Sequence, residues 1–411
     1  ESGTYTPDST TTGSGVVEVD NQTITFTGLE PVTVSNMADF TYVGPSGSEV
    51  INVDSPATGQ NRLSGTTGGV AFESLTFFGI ATFTIDATAG SAIDSDSVTL
   101  ASDLVASGLA SFTVNTGVGA DTVDATNATS LGVTLNGGAG NDTLTGSAVA
   151  DELNGGADVD QIVATSTGGF TLTDSTVTGD HADAHSGIEQ AVLNAGPGND
   201  TVDASLFTGS AGTIQYGNDG NDTLIGSAAA DALFGGEGDD TMMGLAGDDS
   251  LNGSRGMDYL DGGDGNDRLR GQGTSRDTLF GGAGDDVIDG GSGNDIVYGV
   301  GSLGFTLTND SLIGNGTDKL VSIEYGELVG EAGNDLIDAT AFTGVGVTLR
   351  GNGGDDTLLG SSGRDVLYGN AGDDVLRGFD GIDSILGSAG ADLLDGGEGG
   401  DRLRGQGGSR D

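Results

Sequence analysis

The chain has 411 residues, 62 of them acidic against 12 basic, for a formal charge of −50. That balance excludes partners with anionic backbones or surfaces, nucleic acid and acidic membranes alike, and the absence of Cys excludes disulfide scaffolds and thiolate metal sites. With 79 Gly and only 5 Pro it is neither a proline-rich linker nor a collagen-like repeat, and no apolar run is long enough to span a bilayer.

Residues 1–115 are rich in Thr, Val and Ser. Alternating stretches such as "TITFTG" from Thr23 and "ATFTID" from Ala81 read as strands joined by polar turns. A hydrophobic-Glu step leads into a short strand in "GLEPVTV" (Gly28) and "FESLTFF" (Phe72), and again in "GIEQAVL" (Gly187) and "SIEYGEL" (Ser322). This region forms either solenoid rungs or a β-sandwich.

A nine-residue period then takes over. Asp222, Asp231, Asp240, Asp249, Asp258 and Asp267 are nine apart, and two residues after each stands Leu224, Leu233, Met242, Leu251, Leu260 or Leu269. The pattern is GGxGxDxUx, with U large and apolar. Its glycines permit a tight turn, and the three residues that follow make a stub of strand with U on one face. The same frame holds at Asp142, Asp151 and Asp160. It passes through a ten-residue variant, GQGTSRDTLF, to Asp277, Asp286 and Asp295, then returns at Asp356, Asp365, Asp374, Asp383, Asp392, Asp401 and Asp411. Isolated turns of the same kind end at Asp121, Asp200 and Asp335, each opening a wider rung of about twenty residues.

A second, longer period overlies the first. "GFTLTDS" at Gly169 returns as "GFTLTND" at Gly304, and "DRLRGQGTSRD" ending at Asp277 returns as "DRLRGQGGSRD" ending at Asp411. The chain is therefore divided into the β region 1–115, a short module 116–164, a second module 165–298, and a third, 299–411, that breaks off within a repeat.

One apolar side chain per nine residues cannot offset the ordering of so glycine-rich a backbone, so something must bind the folded form alone. Each turn offers a carboxylate at one phase and exposed carbonyls. Hard oxygen donors in a flexible ring suit Ca²⁺, whereas Zn²⁺ favours His or Cys and Mg²⁺ a stiffer octahedron.

These nonapeptides resemble those of the RTX family, the hemolysin-type calcium-binding repeats; "GGAGNDTLT" (Gly137), "GGEGDDTMM" (Gly235) and "GGSGNDIVY" (Gly290) are close matches. The resemblance implies an all-β fold, a parallel β-solenoid in which wider β-helix-like rungs alternate with RTX calcium β-rolls. Two nonapeptides would form one coil, with multiple Ca²⁺ held between turns eighteen residues apart. Asp222, Asp240 and Asp258 would then share one edge, and Asp231, Asp249 and Asp267 the other. All the Asp residues named above are candidate ligands. Turns that lose glycine, at Asp151, Asp160, Asp231, Asp365 and Asp392, are expected to be weak or empty.

His181 and His185 are four apart without the Glu a zincin motif needs, and read as part of a polar loop. Arg268, Arg270 and Arg276, with their copies Arg402, Arg404 and Arg410, either neutralise local acid or form a lateral contact. No acid/base constellation stands out from the repeats, so the chain is expected not to be an enzyme. The expected function is that of a calcium-binding extracellular structural protein, a Ca²⁺-stiffened rod in a fibre, surface layer or adhesin. The alternative is the calcium-folded export domain of a larger secreted enzyme or toxin. Because Asp411 interrupts a repeat, continuation in a longer chain or self-association, end-to-end or lateral, is expected, with no membrane span and no nucleic acid.

Overall fold

The computed structural model describes residues 2–7, 15–19, 22–26, 32–45, 47–88, 94–302 and 304–406. Among them there is no helix, hence none long and apolar enough to cross a membrane. The contacts divide the chain into two units, Glu1–Asn194 with Leu206–Ile214, and Ala195–Ser205 with Gln215–Asp411. Both are parallel β-solenoids.

In the first unit two parallel faces stack rung on rung. One face runs from Val32–Val43 to Val70–Asp86, Ser111–Val118, Val133–Ala139, Glu152–Ala157 and Ala182–Ser186, with Phe40, Phe83, Phe112, Leu135, Leu153 and His185 in successive register or close to it. The other runs from Glu49–Ala57 through Ser97–Leu100, Thr122–Asp124 and Thr143–Thr145 to Gln161–Thr165, aligning Ile51, Val98, Val123, Leu144 and Ile162. Side chains two apart on a strand share a face, so these residues point inward together. The early rungs carry aromatic rings: Phe77 stacks on Phe83 at 4.0 Å between centroids and Phe83 on Phe112 at 5.5 Å. Tyr42 lies 5.4 Å from Phe72. Within residues 32–115 the parallel pairings make solenoid rungs, with one antiparallel excursion through Gln60–Thr67.

The second unit shows how little core the nonapeptide provides. Val202, Leu224, Met242, Leu260, Leu279 and Val297 align on one face, and Leu233, Leu251, Leu269, Ile288 and Leu320 on the other; nearly all are wholly buried. The series resumes as Ile337, Leu358, Leu376 and Leu394, and as Leu349, Leu367, Ile385 and Leu403. Leu394 is half-buried and Leu403 exposed, since no further described rung stacks on them. Each unit also inserts a small antiparallel meander: Phe170–Thr173, Thr176–Thr178 and Ala182–Ser186 in the first; Phe305–Thr308, Ser311–Ile313 and Thr317–Val321 in the second.

His185 corrects the reading of a polar loop. It occupies a core position on the strand Ala182–Ser186, buried opposite Leu153 and 6.4 Å edge-on from the Phe207 ring. It stands two residues after Asp183, where the repeat places its apolar U residue. Burial pushes its imidazole pKa down.

Candidate metal centre

The turns stack their aspartates into ladders along the solenoid edges. In each, the main-chain N–H of one Asp donates to a carboxylate oxygen of the Asp one coil on. Asp222 donates to Asp240 (2.9 Å), Asp240 to Asp258 (3.0 Å), Asp258 to Asp277 (3.0 Å) and Asp277 to Asp295 (2.9 Å). Asp200 joins this edge through Asp222 at 2.8 Å. On the other edge Asp231 donates to Asp249 (2.7 Å), Asp249 to Asp267 (2.8 Å) and Asp267 to Asp286 (2.8 Å). The third array repeats the arrangement, Asp335 to Asp356 to Asp374 to Asp392, and Asp365 to Asp383 to Asp401. In the first unit Asp121, Asp142 and Asp160 form one ladder. The ten-residue variant keeps the phase, its extra residue taken up where Gln272 and Gly273 adopt positive φ. Asp411 lies outside the described residues.

Several ladder positions carry no nonapeptide. Asp160 donates to Glu189 Oε2 at 3.0 Å, and Asp295 to Glu324 Oε2 at the same distance. Asp151 donates to Asp183 at 2.9 Å and Asp286 to Asp318 at 3.2 Å. The ladder also extends toward the start of the chain, from Asp121 back to Asp96 (2.7 Å) and Glu49 (2.8 Å). Glu189 and Glu324 are the acids of the hydrophobic-Glu step, so a sequence signal for them existed. Asp183 and Asp318 sit behind insertions that hide the period.

The carboxylates are used unevenly. One oxygen accepts the neighbour's amide, at every position below but Asp200. The other, Oδ2, is buried without a hydrogen-bond partner at Asp121, Asp142, Asp160, Asp200, Asp222, Asp240, Asp249, Asp258, Asp267, Asp277, Asp286, Asp295, Asp356, Asp374, Asp383 and Asp392. Leaving so many charged oxygens buried and unmet is costly unless a cation meets them. The space they face is reserved by glycine: a Cβ on Gly217 would collide with Asp222 Oδ2 and with the carbonyl oxygen of Gly235 one coil on, and one on Gly262 with Asp267 Oδ2 and the carbonyl of Gly281. At Gly238, φ is +126°, and a side chain would strike the carbonyl of Gly220. A carboxylate oxygen and stacked carbonyls converge on one small space, an oxygen-only donor set that fits Ca²⁺.

Three turns close differently, and a fourth, that of Asp335, does so in part, its Oδ1 staying buried without a partner. The Ser147 and Ser227 amides donate to Oδ2 of Asp151 and Asp231 (2.5 and 2.6 Å), those of Ser361 and Glu331 to Asp365 and Asp335 (2.7 and 3.1 Å). The serine hydroxyls bond the same carboxylates. Of the five glycine-poor turns, Asp151, Asp231 and Asp365 are thus satisfied within their own turn, whereas Asp160 and Asp392 keep a free Oδ2. The difference lies in the backbone. Ser254 and Ser388, at the same place in the Asp258 and Asp392 turns, have φ of 79° and 85°, and their carboxylates keep a free oxygen.

Burial, followed by repulsion between neighbouring acids, lifts the ladder carboxyls despite the amide that each accepts. Asp142, Asp240, Asp249 and Asp277 are pushed up to about 7, and Asp258, Asp267, Asp295, Asp374 and Asp383 to about 6. Among the arginines, Arg276 lies over the Tyr325 ring at 4.9 Å and its charge pulls Asp295 downward. Arg268, Arg402 and Arg404 are exposed, and Arg410 lies outside the described residues.

The family model described as "RTX calcium-binding nonapeptide repeat (4 copies)" matches residues 134–164, 216–251, 243–274, 272–301, 350–378 and 377–410. The chain carries arrays of RTX calcium-binding nonapeptide repeats. They cover somewhat less than half of it, and coincide with the ladders of Asp142–Asp160, Asp222–Asp295 and Asp356–Asp401. No curated protein matches the chain. RTX repeats are typical of secreted proteins, and this chain is a calcium-binding repeat protein by that signature.

Proposed function

We propose that the chain is a structural segment of an extracellular protein, a β-solenoid stiffened by Ca²⁺ and used in a fibre, surface layer or adhesin rather than in catalysis. The observation that supports this is duplication of the ladder at module scale. Asp151–Asp183 and Asp160–Glu189 return as Asp286–Asp318 and Asp295–Glu324, each 135 residues on, with their meanders and glutamates in place. A segment that only has to fold after export needs one such block. Tandem copies suit a part whose length and stiffness are its use.

In this reading the unmet carboxylate oxygens, Oδ1 of Asp335 among them, and the turn carbonyls hold the ions, while Asp151, Asp231 and Asp365 serve as closed turns. Bound Ca²⁺ supplies the positive charge that the ladders lack. The protein's own part is to hold successive carboxylates in register through their amides. Electron microscopy of the 411-residue chain with Ca²⁺ and with EGTA tests the proposal. Stiff, elongated particles or filaments that collapse in chelator are expected. Compact particles in both conditions would overturn it in favour of the export-domain alternative.

A further inference from the structure

The ladder's first rung holds a cluster that the repeats do not account for. Ligand oxygens of Glu49, Asp94 and Asp96 lie within 4.8 Å of one another, and all three side chains are buried. Glu49 is 0% exposed, and neither of its carboxylate oxygens has a hydrogen-bond partner. The buried hydroxyls of Thr67, its cross-strand partner, and of Tyr42 lie beside the Glu49 carboxylate. Among the described residues no Lys, Arg or His forms an ion pair with any of the three acids.

The surrounding sequence has the form of a calcium turn in disguise. "GPSGSEVIN" from Gly44 follows the nonapeptide frame with Glu in place of Asp and Ile51 at the buried U position. The Glu49 amide donates to Asp96 as every ladder amide does, and Ile51 pairs with Val98 in the next rung. The departure is Asp94. It stands two residues before Asp96, where the repeat places a glycine, and its carboxylate accepts the Gly47 amide (3.0 Å) and the Ser48 hydroxyl (2.7 Å) of the preceding turn. Asp94 therefore ties Gly47 and Ser48 to the chain entering the strand Ser97–Leu100 and adds a third acid beside Glu49 and Asp96.

We infer that Glu49, Asp94 and Asp96 form a Ca²⁺ site at the head of the first unit's ladder, outside the matched repeats. Three buried carboxylates with hydroxyls beside them are an oxygen-rich, strongly anionic donor set, the chemistry that selects a hard divalent cation. The site would lock the hairpin Glu49–Ala57/Gln60–Thr67 onto the strand Ser97–Leu100.

Crystals of the whole chain grown in Ca²⁺, with Tb³⁺ replacing it for anomalous diffraction, give the direct test. A peak among the three carboxylates is expected. Filled nonapeptide turns with no peak here would overturn the inference while leaving the ladder reading intact. In solution, Glu49→Gln should bind one fewer Ca²⁺ per chain with an unchanged far-UV spectrum, and Asp94→Asn should do the same. An unchanged count with a Tm raised in both Ca²⁺ and EGTA would show a buried carboxyl that stays protonated, and would sink the site. If neither variant folds, the diffraction result decides alone.

Discussion

The amide of Asp240 donates to Oδ1 of Asp258 across 3.0 Å, while Oδ2 of each is buried with no hydrogen-bond partner. The two residues are held by the chain but not satisfied by it. Asp240→Asn keeps an oxygen for the amide of Asp222 and removes an anionic ligand. It should lower the number of bound Ca²⁺ and cost roughly 1–3 kcal/mol of stability in Ca²⁺. Asp231→Asn, in a turn closed by Ser227, should leave the count unchanged. Calorimetric titration of both variants checks the pair; equal losses would show that the closed turns also hold ions.

Removing calcium should not act evenly. Phe40, Phe77, Phe83 and Phe112 give the early rungs a core of rings, whereas Leu224 to Val297 give the arrays one aliphatic side chain per strand. In EGTA, amides of the strands from Thr223–Ile225 to Ile296–Gly301 are expected to exchange freely, while those of Val70–Asp86 and Ser111–Val118 stay protected. Hydrogen exchange by mass spectrometry resolves the two regions. Uniform exchange along the chain would refute the difference.

Acid should partly replace calcium. Asp142, Asp240, Asp249 and Asp277 are lifted to about 7 in the folded chain, against about 4 when unfolded. A raised folded pKa means that the folded form holds the proton more tightly. Its stabilising contribution is complete below about pH 4 and is lost as the pH rises through 7. In chelator the β signal should therefore grow as the pH is lowered from 8 to 5. With Ca²⁺ present the dependence should reverse, because protons compete for the same oxygens. Circular dichroism against pH in both buffers is the measurement.

Leu245 stands at the second position of its turn with φ of 80° and is 40% exposed. A bulky side chain pays for left-handed backbone, and glycine does not. Leu245→Gly is expected to raise stability in Ca²⁺ by about 0.5–1 kcal/mol after the entropy of the added glycine is set against it. Thermal melts decide the sign.

Much of this was legible in the sequence because the period carries two signals at fixed phase, Asp and U. The resulting ladders pair Asp222 with Asp240 and Leu224 with Met242, as eighteen-residue coils require. What stayed hidden had lost one signal. Asp183 and Asp318 lie behind insertions of a meander, and Glu49, Glu189 and Glu324 put a longer acid in the Asp position. The closed turns were hidden for another reason: GSAAAD closes on its own serine and GSAGAD does not, and that depends on a φ angle rather than on residue type.

Those closed turns bear on how the chain finds its fold. Most turns leave a carboxylate oxygen buried and unmet, but the turn of Asp365 closes with its own atoms: the Ser361 hydroxyl gives to Asp365 at 2.9 Å and takes the Gly363 amide at 3.0 Å. In a stacked array, where each coil templates the next, such a turn is a seed. Ser361→Ala, which deletes both bonds, should slow the appearance of β structure after a calcium jump more than it lowers the final stability, and stopped-flow circular dichroism would see the lag. On that outcome, calcium would set whether the coils persist, and a few serines where winding starts.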